Sequence, residues 1–460
     1  MPAGETDRSN NDQLLRIDQV GIKNFRAFAE IDLTLHKQLT VIVAKNGCGK
    51  TAVLDALAVA LGTFVGSFDS ASGANFTTSD VRLATDAKAA LKSFEPQYPL
   101  EVKAWGVIGG QGVEWRRELR SAKAHTTRRD AKPLSEYAER LESAVRNGAA
   151  GDATPATLPL VAYYGTGRLW ASTRLTAARI AGAKSSRTDG YKDALNSFSH
   201  YKVFADWFER IHRAEFEQRQ HPDKLDEITP LLKAVREAVN IVLDPTGWRD
   251  IAFRSAEGGV VATHSELGTL PVDWLSDGIR NMIGLAGDIA HRAVRLNPHL
   301  RGSAVVATSG VVLVDELDMH LHPAWQQTVV ESLRQAFPAV QFVVTTHSPQ
   351  LLSTVRRENI RVLKLGDKGQ ANAYTPEVNT FAEESATVLE SVMDTPARPQ
   401  LEAAKKLTEY QRMMACEDAE SPAAPNLRHE LEEIFGKDYV GIKLADMEYE
   451  LRRAKSHPRS

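Results

Sequence analysis

Residues 39–57 read LTVIVAKNGCGKTAVLDAL, and this stretch decides the fold class. An apolar, β-branched run, Thr40 to Val43, reads as a buried strand. It runs into AKNGCGKT (44–51) and then a helical pattern to about Leu61. A strand, a glycine-containing loop closing on Gly-Lys-Thr and a helix together make a phosphate cradle. Backbone N–H groups and the positive end of the helix face the anion. In that cradle Lys50 reaches the β- and γ-phosphates of a nucleotide, and the Thr51 hydroxyl reaches Mg²⁺. The first glycine of the pattern is replaced by Ala44. A glycine turn before an ordinary helix would give a similar string, so the reading needs company.

Three further stretches supply it. GVVLVDELD (310–318) is a buried strand from which Asp315 and Glu316 emerge, at the end where open α/β sheets bind ligands. Asp315 suits a Mg²⁺ shell, and Glu316 suits the base that polarises an attacking water. WLSDGIRN (274–281) opens a helix expected to continue to about Arg295. Ser276 there is either a plain N-cap or, with Gly278 beside it, a hydroxyl held open at the positive end of the helix. QFVVTTHSP (341–349) is a strand ending at His347, separated from Asp315 by room for one helix and a return strand. His347 would contact the γ-phosphate. Each stretch alone has a bland structural reading. Their occurrence together, in this order, does not.

The rest of the chain sets bounds. Its 460 residues, 43% apolar and 25% charged, suit two or three packed lobes. A net charge of −3 means that any nucleic-acid contact must come from a local patch. Two cysteines, Cys48 and Cys416, give neither a disulfide framework nor a CxxC pair and point to a reducing, cytoplasmic setting. No run approaches the roughly 18 apolar residues that span a bilayer, and no membrane partner is expected. Residues 1–13 read as a disordered leader, and 14–120 as the first lobe of an α/β domain with a mixed sheet. Residues 121–270 read as an inserted, mainly helical lobe, with helices over 133–147, 191–219 and 228–242. Residues 271–382 form the second α/β lobe, and 383–460 a helical tail with a loop near 420–425, suited to docking a partner. Arg116, Arg117, Arg120, Lys123, Arg128, Arg129 and Lys132 form a basic stretch that either grips phosphates or lies solvated. Trp170, Trp207 and Phe208 either stack on bases or pack in a core.

Together these stretches resemble the branch of ABC ATPases that includes RecF, SMC and OLD-type proteins. WLSDGIRN matches that family's LSGGQ signature at Ser276 and Gly278 and departs from it at Asp277 and Ile279. The opening IKNFRAFAEIDLTLHKQLTVIVAKNGCGKTAVLDAL and the later DELDMHLHPAWQQ are similar to small members without a coiled-coil arm. YYGTGRLW, WLSDGIRNMIGLAGDIAHRAVRLNP and VDELDMHLHPAWQ resemble more closely the ATPases of Septu and retron anti-phage modules, the group that includes PtuA. The resemblance implies ATP and Mg²⁺ as cofactors and a head-to-tail homodimer, open to higher assembly. It also implies a PtuB-like HNH nuclease partner, with DNA or RNA in reach. Nucleotide roles carry over to Asn46, Gly47, Gly49, Lys50, Thr51, Ser276, Gly278, Asp315, Glu316 and His347. Asp318, His320 and His322 fall in what is a D-loop in this family rather than a metal site. Residues 366–460 contain neither the EG nor the DxD of the Toprim nuclease that follows OLD-type ATPases, so no intrinsic nuclease is expected. A RecF-like DNA-repair ATPase, or a scaffold that binds ATP with little turnover, are the competing readings.

Overall fold

The computed structural model describes residues 14–85, 94–148, 155–167, 186–197, 201–219, 228–366, 369–416 and 421–456. The expected leader and Trp170 lie outside them. In chain order the strands are β1 (Leu15–Phe25), β2 (Phe28–Thr34), β3 (Leu39–Val43), β4 (Leu83–Thr85), β5 (Phe94–Pro96), β6 (Leu100–Ile108), β7 (Gln111–Leu119) and β8 (Leu160–Tyr164). They continue as β9 (Trp248–Arg254), β10 (Gly259–His264), β11 (Gly268–Pro271), β12 (Gly310–Val314), β13 (Val340–Thr346), β14 (Ile360–Leu365) and β15 (Ala371–Tyr374). The first five long helices are α1 (Lys50–Val65), α2 (Lys132–Gly148), α3 (Tyr201–Arg219), α4 (Ile228–Leu243) and α5 (Asp277–Leu296).

Every residue of β3, β8, β12 and β13 is buried, which only a sheet covered on both faces allows. These strands pair in the order β15-β14-β3-β13-β12-β8, parallel throughout except for the antiparallel edge strand β15. A second sheet, β2-β1-β6-β7, is antiparallel. Its central strand β6 alternates buried and open positions, as a sheet with one wet face requires, whereas β7 ends in three buried residues, Arg117, Glu118 and Leu119. In β1 the buried set shifts phase, from Leu15 and Ile17 to Val20 and Ile22, at a register irregularity between Ile17 and Gln19. The architecture is an α/β fold with a mixed sheet, as the motifs required.

Several expectations change. The stretch 121–270 is not only helical: it gives β8 to the edge of the main sheet and forms a separate meander, β11-β10-β9. Helix α3 begins at Tyr201 rather than at Tyr191. Before it, Ser186 and Asp189 form a reciprocal capping box on a short turn, and buried Tyr191 donates its hydroxyl to Pro159 O at 2.7 Å. Those bonds anchor a short turn that ends at Tyr191, where the helix was expected to begin. Helix α1 runs past Leu61 because Phe64 and Val65 are also fully buried. Pro425, expected in a loop, sits in the first turn of the helix Ala423–Phe435, where a missing N–H is tolerated. The chain divides into two units at Val388/Leu389 rather than at 383. The smaller unit is a helical cluster around Leu407, Tyr410, Leu431 and Ile442.

Candidate nucleotide-binding site

Strand order places the site. β13 lies between β3 and β12, so the loop after β3, His347 after β13 and Asp315–Glu316 after β12 leave the sheet side by side. In the loop, Gly47 (φ 79°) and Gly49 (φ 90°) hold left-handed conformations. A Cβ on Gly49 would lie 2.3 Å from the Phe28 ring, so only glycine fits there. Ala44 is not among the residues of positive φ, which is why a methyl group is accommodated at that position of the motif. Lys50 is 8% exposed and its Nζ donates to Ala44 O at 3.2 Å. Burial lowers its pKa, while the carboxylates of Asp315 and Glu316 act to keep it charged.

Across the loop, the Thr51 hydroxyl donates to Asp315 Oδ2 at 2.7 Å. Thr345 donates to the other oxygen of Asp315 at 2.5 Å, and its own oxygen accepts from the Glu316 backbone N–H at 2.8 Å. Its carbonyl accepts from Leu317 N at 3.0 Å. Glu316 has φ 46°, a conformation that costs a non-glycine residue roughly 1–2 kcal/mol. Three bonds to one threonine hold the chain there. The sequence reading missed Thr345. Its role depends on the in-register pairing of Val314 with Val344, which sets Asp315 abreast of Thr345, and no local pattern discloses that.

Asp318 accepts from Thr346 Oγ1 at 2.6 Å and from His347 N at 3.4 Å, and His322 Nδ1 accepts from Ala324 N at 3.3 Å. Those bonds give Asp318 and His322 structural work, and no cluster of metal-binding type occurs among the described residues. The pKa of His347 is lowered, by burial first and then by the nearby charge of Lys50.

The residues expected in the signature lie elsewhere. Ser276 is at the N-cap of α5, exposed, and its side chain makes no capping bond. Gly278 packs on the turn after β12: a Cβ there would lie 2.4 Å from His320 O. Asn281 Nδ2 donates to Met319 O at 3.4 Å. Buried Asp288 and Arg292 pair at 2.7 Å on α5, and the Tyr164 hydroxyl donates to Asp288 at 2.8 Å, which ties α5 to β8. A second network missed in the sequence surrounds the loop. Arg26, in the β1–β2 turn, pairs with Asp55 of α1 at 2.5 Å and with Asp80 at 2.8 Å, and Tyr163 donates to Asp55 at 2.8 Å.

The basic stretch divides. Arg116 pairs with Asp130 and Glu118, Arg120 with Glu118, and Lys132 with Glu136. Arg117 is buried and donates to Val59 O, Ala74 O, Thr127 O and Asn75 Oδ1. Burial, with Arg128 adding to it, pushes its pKa down to about 10. Lys123, Arg128 and Arg129 are exposed. Phe208 is core, and Trp207 lies on buried His291 with centroids 4.4 Å apart.

The donor set fits a magnesium nucleotide. Thr51 and Asp315 present hard oxygen atoms to one point, beside a glycine-shaped cradle and a buried lysine. This sheet, with its ordered phosphate loop, acidic strand end and helix opening at Ser276, defines the chain as an ABC-type ATPase. Known proteins agree. A model of the family described as "AAA domain" matches residues 19–240. The retron Ec83 probable ATPase of Escherichia coli is 24% identical over 505 aligned residues, covering 95% of this chain and 87% of the relative. The retron Vc95 probable ATPase of Vibrio cholerae serotype O1 biovar El Tor is 23% identical over 443, covering 85% and 81%. Septu protein PtuA of Bacillus mycoides (strain KBAB4) is 35% identical over 123 residues, 27% of this chain and 16% of that one. This ATPase therefore resembles the retron ATPases and PtuA. Among the described residues no helix is long and apolar enough to cross a membrane.

Proposed function

We propose that this ATPase works in the cytoplasm as a head-to-tail homodimer in a retron- or Septu-like anti-phage module, where its nucleotide cycle gates a partner nuclease of HNH type. The observation that carries the site is the bond from Thr51 to Asp315, which joins the phosphate loop to the acidic strand end. Lys50 neutralises the β- and γ-phosphates, and the N–H groups of the loop through Asn46, Gly47 and Gly49 surround them. Thr51 and Asp315 would hold Mg²⁺, which supplies charge neutralisation to the phosphates when bound. Glu316 takes a proton from the water that attacks the γ-phosphorus, and His347 donates to the γ-phosphate. Exposed, unengaged Ser276 with Gly278 completes the site of the opposite subunit, and Trp274, 76% exposed beside it, suits a face that is covered on dimerisation.

The defence setting is supported by two retron ATPases that align over most of this chain. Of the seven cations in the basic stretch, Arg116, Arg120 and Lys132 pair with acids of this chain and Arg117 is buried, which speaks against a broad DNA grip of the RecF kind. The test is nucleolytic. The purified chain with Mg²⁺ or Mn²⁺ leaves plasmid and single-stranded DNA and RNA intact, and cutting appears only with the HNH partner from the same module. Cleavage by the chain alone, with a Lys50→Ala preparation ruling out contamination, would overturn the assignment.

A further inference from the structure

The smaller unit contributes none of the site residues, and its last helix, Val440–Ser456, has two apolar faces. Ile442 and Ala445, with half-buried Tyr449, pack into the unit's own core. On the other side Val440, Leu444, Met447 and Leu451 are 66%, 54%, 57% and 61% exposed. At roughly 100° per residue these four fall in a stripe about 60° wide, opposite Ile442 and Ala445. Their spacing of four, three and four is the a/d repeat of a two-stranded coil. Such a contiguous row is unlike the single apolar residues scattered over ordinary surfaces.

The charges beside the stripe say what covers it. Lys443 and Glu450 border one side, and Glu448 borders the other, all exposed. When two identical helices pair in parallel and in register, each residue of the first border faces the residue five further along on the second. Lys443 then meets the partner subunit's Glu448. The bond that Lys443 makes to Asp438 joins two exposed groups, 53% and 94%, and is readily exchanged.

We infer that this face pairs with the same face of a second copy of the chain, the two C-terminal helices running parallel and in register. Four positions per helix make a small contact. Its effect is to raise the effective concentration of one ATPase head near another, so that the heads close at lower protein concentration. It needs neither nucleotide nor the site residues, which separates it from the head-to-tail dimer proposed above.

The test uses the full chain carrying Cys416→Ser and Met447→Cys under mild oxidation. Position 447 should cross-link to itself in most molecules, with or without ATP and also in the Lys50→Ala background. Arg453→Cys, on the opposite side, should give several-fold less. Lys443→Glu should reduce the yield at 447 several-fold, and Lys443→Glu with Glu448→Lys should restore it. Met447 and Lys443 are exposed, so none of these changes threatens folding. Equal yields at 447 and 453, no cross-link at 447, or no restoration by the charge exchange would overturn the pairing. So would capture of a different protein at 447 in the native complex, which would give the stripe to that protein. Loss of the cross-link only in Lys50→Ala would also overturn it, since it would make contact depend on the heads.

Discussion

Glu316, the proposed base, stands in a left-handed conformation held by Thr345. Replacing its carboxylate by an amide removes the base without disturbing those backbone bonds. Glu316→Gln is therefore expected to bind ATP as the native protein does and to hydrolyse it at least 100-fold more slowly, in line with losses of a positioned base. Lys50→Ala should instead lose nucleotide binding, read by fluorescent-nucleotide titration, because the phosphates lose the buried cation of the loop. Thr345 gives a subtler expectation. Thr345→Val keeps the shape and removes both side-chain bonds, so kcat should fall about 10- to 100-fold with little change in nucleotide affinity, an energy of the order of one hydrogen bond to a charged group. Thr345→Ser should recover most of the loss. An unchanged kcat in Thr345→Val would remove Thr345 from the account. The motifs that carry Lys50, Thr51, Asp315 and Glu316, which the structure brings side by side, were legible in the sequence because each is encoded within a few residues. Thr345 was not, because its bonds cross between two strands that are distant in sequence.

Glycine 278 tests how the elements fit. Inside a helix, Gly→Ala gains up to about 1 kcal/mol of propensity. Here the added methyl would lie 2.4 Å from the His320 carbonyl, a backbone atom that has no rotamer to yield. The clash outweighs the propensity, so Gly278→Ala should lower both the melting temperature and ATP turnover. A raised melting temperature with native turnover would show that α5 and the 318–321 turn are free to separate. Arg117 makes a parallel case. Arg117→Met leaves four neutral acceptors without their donor and should cost about 3–5 kcal/mol in denaturant unfolding, since each buried acceptor left unsatisfied costs about 1–3 kcal/mol. Arg128→Ala and Arg129→Ala, exposed, should change stability by less than about 0.5 kcal/mol. From the sequence, Arg117 was one of seven cations in a run. Only the packing of β7 against the end of α1 separates it from its solvated neighbours, and composition carries no trace of that. The strands themselves were legible, since fully apolar or strictly alternating runs admit few alternatives. The start of α3 was not, because the chain makes a turn over 192–195 that the helical pattern from Tyr191 does not disclose.

At the scale of the whole molecule, the order of motifs along the chain disclosed the α/β core. The lobe limits did not follow, because β8 joins the main sheet from within a stretch of mostly helical composition. The central claim is that each ATP is enclosed by Lys50 of one subunit and Ser276 of the other. Mixing two inactive proteins, Lys50→Ala and Ser276→Arg, tests it most directly. In a twofold dimer each mixed pair contains one interface carrying both defects and one carrying none. ATP hydrolysis at equal ratio should therefore recover to about a quarter of the native rate if the sites act independently. Hydrolysis no greater than the sum of the separate proteins at any ratio, with subunit exchange demonstrated by labelled chains, would contradict the composite site.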